Sequence, residues 1–257
     1  MSLPEVSENT IIDALQQVGI RQGDDLLVHA ALQYLGRPIG GVTMYVQALR
    51  AVIGPQATIA VPAFNFAFAK GQDYDPLSTP SDGMGVFSEY IRQLPDSLRT
   101  PHPLQSLALN GPLAAELAPL DTACAFDEGS PFSQLLDRDF KLLLLGAGVQ
   151  AVSIVHYSEQ QAAVPYRYLK DFTGRIKRED RWAEYTYRMF VRDRDLDPQL
   201  KLAPVQEALA ARGLWHSVTV NFGQIAACRL LDFERVTSEL LAADPWALVG
   251  NRAAIGK

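Results

Sequence analysis

The chain has 257 residues, 48% of them hydrophobic and 20% charged, and a net charge of −6. That length buries a sizeable core as one large α/β domain or two small ones. The acidic balance argues against general binding of nucleic acid or anionic membranes, because phosphate contacts need clustered Lys and Arg. The two cysteines, Cys124 and Cys228, match no metal spacing and no C-x-x-C pattern, so reduced thiols and no metal are expected. The first twenty residues lack the regions of a signal peptide, and no stretch reaches the roughly 18 apolar residues of a membrane span. A cytoplasmic protein, as a monomer or homodimer, is the expectation.

Ser7 is placed to cap a first helix with Ile11, Ile12, Leu15 and Val18 on its inner face. Asp25 to His29 follows as a buried strand. It ends in His29, Ala30 and Ala31, small residues around a histidine that allow close approach of a ligand or of a neighbouring backbone. Gly40 and Gly41 open a second helix running to about Val52, and Thr58 to Val61 is a second strand ended by Pro62. This helix, strand, helix, strand order predicts a largely parallel sheet with helices on its faces. Sites in such sheets form at strand ends.

From Ala63 to Gly85 the pattern gives way to a long loop rich in Gly, Pro, Asp and Phe, whose aromatic content predicts an ordered loop. Met84 and Gly85 lead into a helix over Val86 to Gln93. In Leu98 to Ser106, Pro101 and Pro103 hold His102 in extended chain near Arg99, which suits an anion contact or a simple turn. A strand over Ser106 to Asn110 and a helical piece over Leu113 to Leu117 come next. The Asp127 to Pro131 turn then caps a helix beginning at Phe132. Beyond residue 167, Arg175 to Arg194 alternates charge with aromatics and predicts a hairpin with one wet face. Leu202 to Arg212 is a helix, Ser217 to Leu231 a strand-turn-strand or strand-helix element, and Phe233 to Leu241 the last helix. No linker-like shift in composition divides the chain, so residues 1–257 are expected to form a single domain.

The segment around which the rest is arranged is Lys141 to Arg167. Leu142 to Leu145 predicts a buried strand, Gly146 and Gly148 a tight turn, and Ala151 to Ala163 a helix. His156 and Glu159, three apart, share one face of that helix, where a carboxylate can fix an imidazole tautomer and support a general base. An ordinary surface pair has the same spacing. Gly146 to Ala151, GAGVQA, also fits the dinucleotide fingerprint G-x-G-x-x-G/A, which would make the chain an NAD-linked oxidoreductase. That fingerprint needs a second strand after the helix, and the proline-broken Val164-Pro165-Tyr166-Arg167 follows instead.

Several stretches, in order, resemble the aminoglycoside 3-N-acetyltransferase family. They are LLVHAALQYLG at 26–36, Gly40-Gly41, DGMGVFSE at 82–89, RTPHPLQSLALNGPLA at 99–114, EGSP at 128–131, KLLLLGA with VHYSEQQAAVPYR, and the tail HSVTVNFGQIAACRLLDFERV. The resemblance covers nearly the whole chain. It implies a three-layer α/β/α fold, distinct from the general GCN5-related acetyltransferase fold, with acetyl-coenzyme A as donor and a small-molecule amine as acceptor. It also implies His156 as general base and Glu159 as its partner. On the donor side it suggests His29, Ala30, Ala31, Met84, Gly85, Arg99 toward a phosphate, His102 near the thioester, and Ser106. Asp73, Asp75, Asp193 and Asp195 are candidates for a cationic acceptor. Two departures bear on the substrate: Ala31 stands where many members have serine, and the loop from Phe64 to Ser81 is short, with few acids and much Phe and Tyr. A smaller or less cationic amine of a biosynthetic pathway, or coenzyme A binding without catalysis, are the alternatives.

Overall fold

A computed structural model describes residues 4–256. Its centre is a seven-stranded sheet in the order His216–Val220, Gly223–Arg229, Lys141–Leu145, Leu26–Ala30, Ile59–Pro62, Leu107–Asn110, Ser97–Arg99. Strands at the centre of such a sheet are covered on both faces, which is why they read as unbroken apolar runs. Leu142 to Leu145 are all buried, each side chain contributing about 1.5–3 kcal/mol relative to exposure. Alternate residues point to opposite faces, and two separate cores result. Leu26, Val28, Ile59, Val61, Leu143 and Leu145 pack with helices Glu8–Gln17, Val42–Ile53 and Gly85–Arg92. Leu27, Ala60, Leu107, Leu142 and Leu144 pack with helices Pro131–Asp137, Val155–Gln161, Ala203–Ala211 and Leu230–Ala243. The arrangement is therefore the expected three-layer α/β/α, with both cores built on one sheet.

The sheet is mixed, which corrects the expectation of a largely parallel one. Leu26–Ala30 runs parallel to Lys141–Leu145 and to Ile59–Pro62, while the other four pairings are antiparallel. The first four elements do form a right-sized parallel unit. After them the chain returns through the edge strand Ser97–Arg99, part of the stretch taken as a proline-held loop, so parallel order does not propagate. The end caps follow the sequence more closely: Ser7 accepts the Thr10 N–H at 3.2 Å, and Ser130 accepts that of Ser133 at 3.2 Å ahead of Pro131.

Two elements differ in extent. The hairpin is Arg167–Arg178 with Arg181–Arg192, and it stands outside the main sheet. Half the positions of its first strand are exposed, and Lys170 and Gly174 interrupt the face that packs, so it lacks the clear apolar alternation that marks a strand. Its tip, Glu179-Asp180, has both residues at positive φ, 47° and 61°, without the Asn-Gly signature of such turns. The helix expected over 151–163 is shorter, Val155–Gln161, preceded by a single 3-10 turn at Val149–Ala151. The long loop does fold on aromatic side chains: Phe68 and Tyr74 are buried against Leu104, Ile176 and Tyr187, tying it to the hairpin. No helix among the described residues is long and apolar enough to cross a membrane.

Candidate active site

The three mutually parallel strands end on the same side, at Ala30, Pro62 and Leu145, and ligands of open α/β sheets bind outside such carboxyl ends. Gly146 turns the last of them with φ 71°, and a Cβ there would lie 2.5 Å from the Ala31 carbonyl oxygen. Only glycine fits that approach. Ala30 and Ala31 serve the same contact, Ala31 N donating to Leu145 O at 2.8 Å, so their small size admits a neighbouring backbone.

Over these ends lies a cleft of about 240 Å³. Pro62, Phe64, Phe66, Met84, Val152 and Val155 supply apolar walls, and Leu200 lies beside them. His29, Gln150, Ser153 and His156 are its polar side chains. Gln150 is tied at both ends of its amide, donating to Leu200 O at 2.8 Å and accepting Leu202 N at 3.1 Å. His29 is buried, and that burial pushes its imidazole down to about 4, so the ring is neutral. Its Nε2 lies 3.5 Å from both the backbone N and the Oγ of Ser153.

His156 Nδ1 lies 2.6 Å from Glu159 Oε2, with the imidazole side chain 25% exposed and the carboxylate fully buried. Arg167 Nε stands 2.9 Å from the same oxygen, an ion pair whose angle falls short of a hydrogen bond. Burial by itself would raise the Glu159 carboxyl, but His156 and Arg167 outweigh it and hold the group below its ordinary range. Its other oxygen, Oε1, is buried and makes no hydrogen bond. Tyr166 is pushed well up, first by burial and then by the neighbouring Glu159 charge. Phe126 packs edge-on against the His156 ring at 6.0 Å. With Nδ1–H directed at a carboxylate, the neutral ring carries its lone pair on Nε2.

His29, Met84 and His156 are thus gathered in one cleft, with Glu159 behind it and Gly85 next to Met84. The rest of the expected set lies elsewhere. The Arg99 guanidinium donates to the carbonyls of Thr79 and Ala63 and, at 3.0 Å, to Ser106 Oγ, and it stacks 5.0 Å over the Tyr74 ring. Ser106 itself is buried and donates to Ala63 O at 2.7 Å. His102 Nδ1 accepts the Gln105 N–H at 3.2 Å, which leaves Nε2–H to donate to Arg188 O at 3.2 Å. These three residues pin the long loop and the hairpin to the sheet edge.

Nor does the structure gather the four aspartates. Asp73 pairs with Arg175 at 3.2 Å and Asp75 with Lys177 at 3.7 Å, toward the hairpin tip. Asp193 follows the other end of the hairpin, about 27 Å away along eight strand residues, and its Oδ1 accepts the N–H groups of Asp195 and Leu196. Sequence reasoning missed Arg167 and Ser153. Arg167 closes the stretch that carries the family resemblance, and Ser153 precedes His156 by three, which were the available signals.

Fold and site together define a three-layer α/β protein that presents a carboxylate-braced histidine to a cleft at its parallel strand ends. The family described as aminoglycoside 3-N-acetyltransferase matches residues 27–242, and the chain belongs to it. An aminoglycoside N(3)-acetyltransferase III of Salmonella sp is 32% identical over 177 residues; that match spans 62% of this chain and 62% of the relative's own length. Among solved structures, AAC-IIIb in binary complex with CoASH aligns at TM-score 0.82 and 22% identity, covering 93% of this chain and 97% of that one. A histidine-to-alanine variant of aminoglycoside acetyltransferase AAC(3)-IVa, in complex with a gentamicin, aligns at TM-score 0.81 and 25% identity, covering 99% and 95%.

Proposed function

We propose that this chain transfers the acetyl group of acetyl-coenzyme A to the nitrogen of a small-molecule amine, with His156 as general base. The observation that carries this reading is the 2.6 Å contact of His156 Nδ1 with buried Glu159, on a ring that also lines the cleft. An ammonium has no lone pair and cannot attack a thioester. A neutral imidazole beside it removes one proton, the freed nitrogen attacks the carbonyl carbon as the C–S bond breaks, and the second proton shed by the acylated nitrogen goes to the departing coenzyme A thiolate to give the thiol. The imidazolium so formed is stabilised by Glu159, which Arg167 keeps ionised and in place. Ser153 brings a backbone N–H and a hydroxyl to the same cleft. His29 Nε2 takes one of them, and the other is a donor for the thioester oxygen.

The residues present suit the donor. The apolar walls of Phe64, Phe66 and Met84 match a pantetheine arm, and the cleft side of Met84 adjoins the start of helix Gly85–Arg92. No side chain caps that start, no acidic residue lies in its first turn, and Gly85 holds φ 83°. Its free N–H groups would take the diphosphate. Arg99 is already committed to protein acceptors and is not assigned to the donor. The family and the ligand of the gentamicin-bound neighbour support an amine-bearing small molecule as acceptor.

The test is His156→Gln with acetyl-coenzyme A and an accepted amine, read as released thiol. We expect kcat to fall by about 10²–10⁴-fold with donor binding retained. Unchanged turnover would refute the assignment. A dinucleotide site at Gly146 to Ala151 has no comparable support. Strand Lys141–Leu145 pairs in parallel only with Leu26–Ala30, which precedes it in the chain, and the helix after Gly146 leads into the separate hairpin.

A further inference from the structure

Resting on the acetyl-transfer reading above, we infer that Tyr166 is a positioning residue of the site: its hydroxyl donates to Glu159 Oε1 and fixes the plane of the carboxylate that orients His156. Two unpaired atoms lead there. Glu159 Oε1 is a buried acceptor and the Tyr166 hydroxyl a buried donor, each without a hydrogen-bond partner among the described residues. A buried polar group left unpaired has given up its hydration for nothing, so each calls for a partner. The two groups are neighbours: the Glu159 charge reaches the hydroxyl and, after burial, is the next cause that keeps it protonated and able to donate.

The turn after helix Val155–Gln161 brings them together. Ala163 takes φ 47°, Val164 N bonds back to Glu159 O at 3.2 Å, and Tyr166 and Arg167 follow at once. Tyr166 is 1% exposed; its ring packs on Trp246 at 5.3 Å and its carbonyl accepts the Asp193 N–H at 2.9 Å, so ring and backbone are both held. The carboxylate needs such a restraint. His156 and Arg167 both meet Oε2, and the last torsion of a glutamate is broad, so neither contact fixes Oε1. A donor on Oε1 keeps Oε2 facing Nδ1–H and thereby keeps the imidazole lone pair on Nε2. A hydroxyl does this without adding a second cation, which would compete with the imidazolium for the Glu159 charge. Tyr45 is the contrast: its hydroxyl is also buried and unpaired, but it lies in the core on the opposite face of the sheet, where burial alone raises it to about 12.

The experiment compares the full chain with Tyr166→Phe and Tyr45→Phe. Nitrogen NMR reads the His156 ring, assigned by its loss in His156→Gln, and released thiol is followed with acetyl-coenzyme A and sisomicin. We expect the proton to sit on Nδ1 in the unsubstituted chain and in Tyr45→Phe, and to be shared between the two ring nitrogens in Tyr166→Phe. For Tyr166→Phe, kcat per folded molecule should fall about tenfold, the loss of one hydrogen bond to a charged group, with KM for acetyl-coenzyme A unchanged. Tyr45→Phe should leave both constants unchanged. An unaltered ring in Tyr166→Phe, an unaltered kcat, or the same changes in Tyr45→Phe overturns the inference and leaves acetyl transfer standing. If the unsubstituted chain releases no thiol and coenzyme A does not raise its melting temperature, the transfer reading falls, and the ring signals alone decide whether Tyr166 positions His156.

Discussion

His156 and His102 both sit on segments that the sequence singles out, and their surroundings give them opposite roles. His102 is 4% exposed, packs on the Tyr187 ring at 4.7 Å, and has a backbone partner on each nitrogen. Burial, only partly offset by the Arg188 carbonyl, pushes it down to about 4. A ring satisfied at both ends and fixed as neutral has no proton to exchange at neutral pH. His156 is held at Nδ1 alone, by a carboxylate, and lines a cleft. What separates a base from a brace is how many of its nitrogens the fold leaves free, and residue type says nothing about that.

The sharpest way to break this contrast is Glu159→Gln. It removes the charge that balances Arg167, whose side chain is only 10% exposed, and so leaves a buried cation without a counter-charge. We expect a loss of about 3–5 kcal/mol in a urea titration, and a kcat at least about tenfold lower in the protein that remains folded. Unchanged stability would mean that Arg167 is solvated. On the other side of the comparison, Arg99→Lys breaks the fork that joins Thr79, Ala63 and Ser106. The expected cost is roughly 3 kcal/mol of stability, with kcat per folded molecule unchanged; a selective loss of donor affinity would return Arg99 to the active site.

A more gradual effect, spread over several pH units, is a pH dependence that the two buried histidines contribute together. His29 and His102 are both lowered from an ordinary 6.5 to about 4 by burial. Between those values the unfolded chain takes up protons that the folded chain declines. Their stabilisation is therefore complete above pH 6.5 and is lost progressively as the pH falls toward 4, by at most roughly 3 kcal/mol for each ring. Urea midpoints at pH 7, 5.5 and 4.5 check this, and the fall should flatten in the double variant His29→Gln, His102→Gln. A midpoint constant across that range would mean that the rings are solvated.

Much of the fold could be read along the chain because it follows from local periodicity. The run Leu142 to Leu145, the caps at Ser7 and Ser130, and the helix Val42–Ile53 are each specified by residues within a few positions of one another. The strand at Leu107–Asn110 was legible, but its antiparallel direction and the short edge strand Ser97–Arg99 were not, since both depend on how the chain returns. The hairpin has one wet face, as its composition implied, but its first strand from Arg167 was hidden because the packed face carries Lys170 and Gly174 beside Phe172 and Ile176 while Leu169 lies exposed on the other, so no clean apolar alternation shows.

The candidate site divides the same way. Spacing alone put His156 and Glu159 on one helical face, a matter of three residues and one turn. The family resemblance came from stretches in sequence order, and fold and family both agree with it. Only the tertiary structure decided that Arg167 meets Glu159, that Ser153 meets His29 across 124 positions, and that Arg99, His102 and Ser106 face protein. Two of those contacts, at His29 and His102, join residues far apart in sequence, and the nearer ones depend on how the chain turns between its elements. What each polar group does there depends on which partners and how much water the folded chain leaves around it, and no local pattern encodes that.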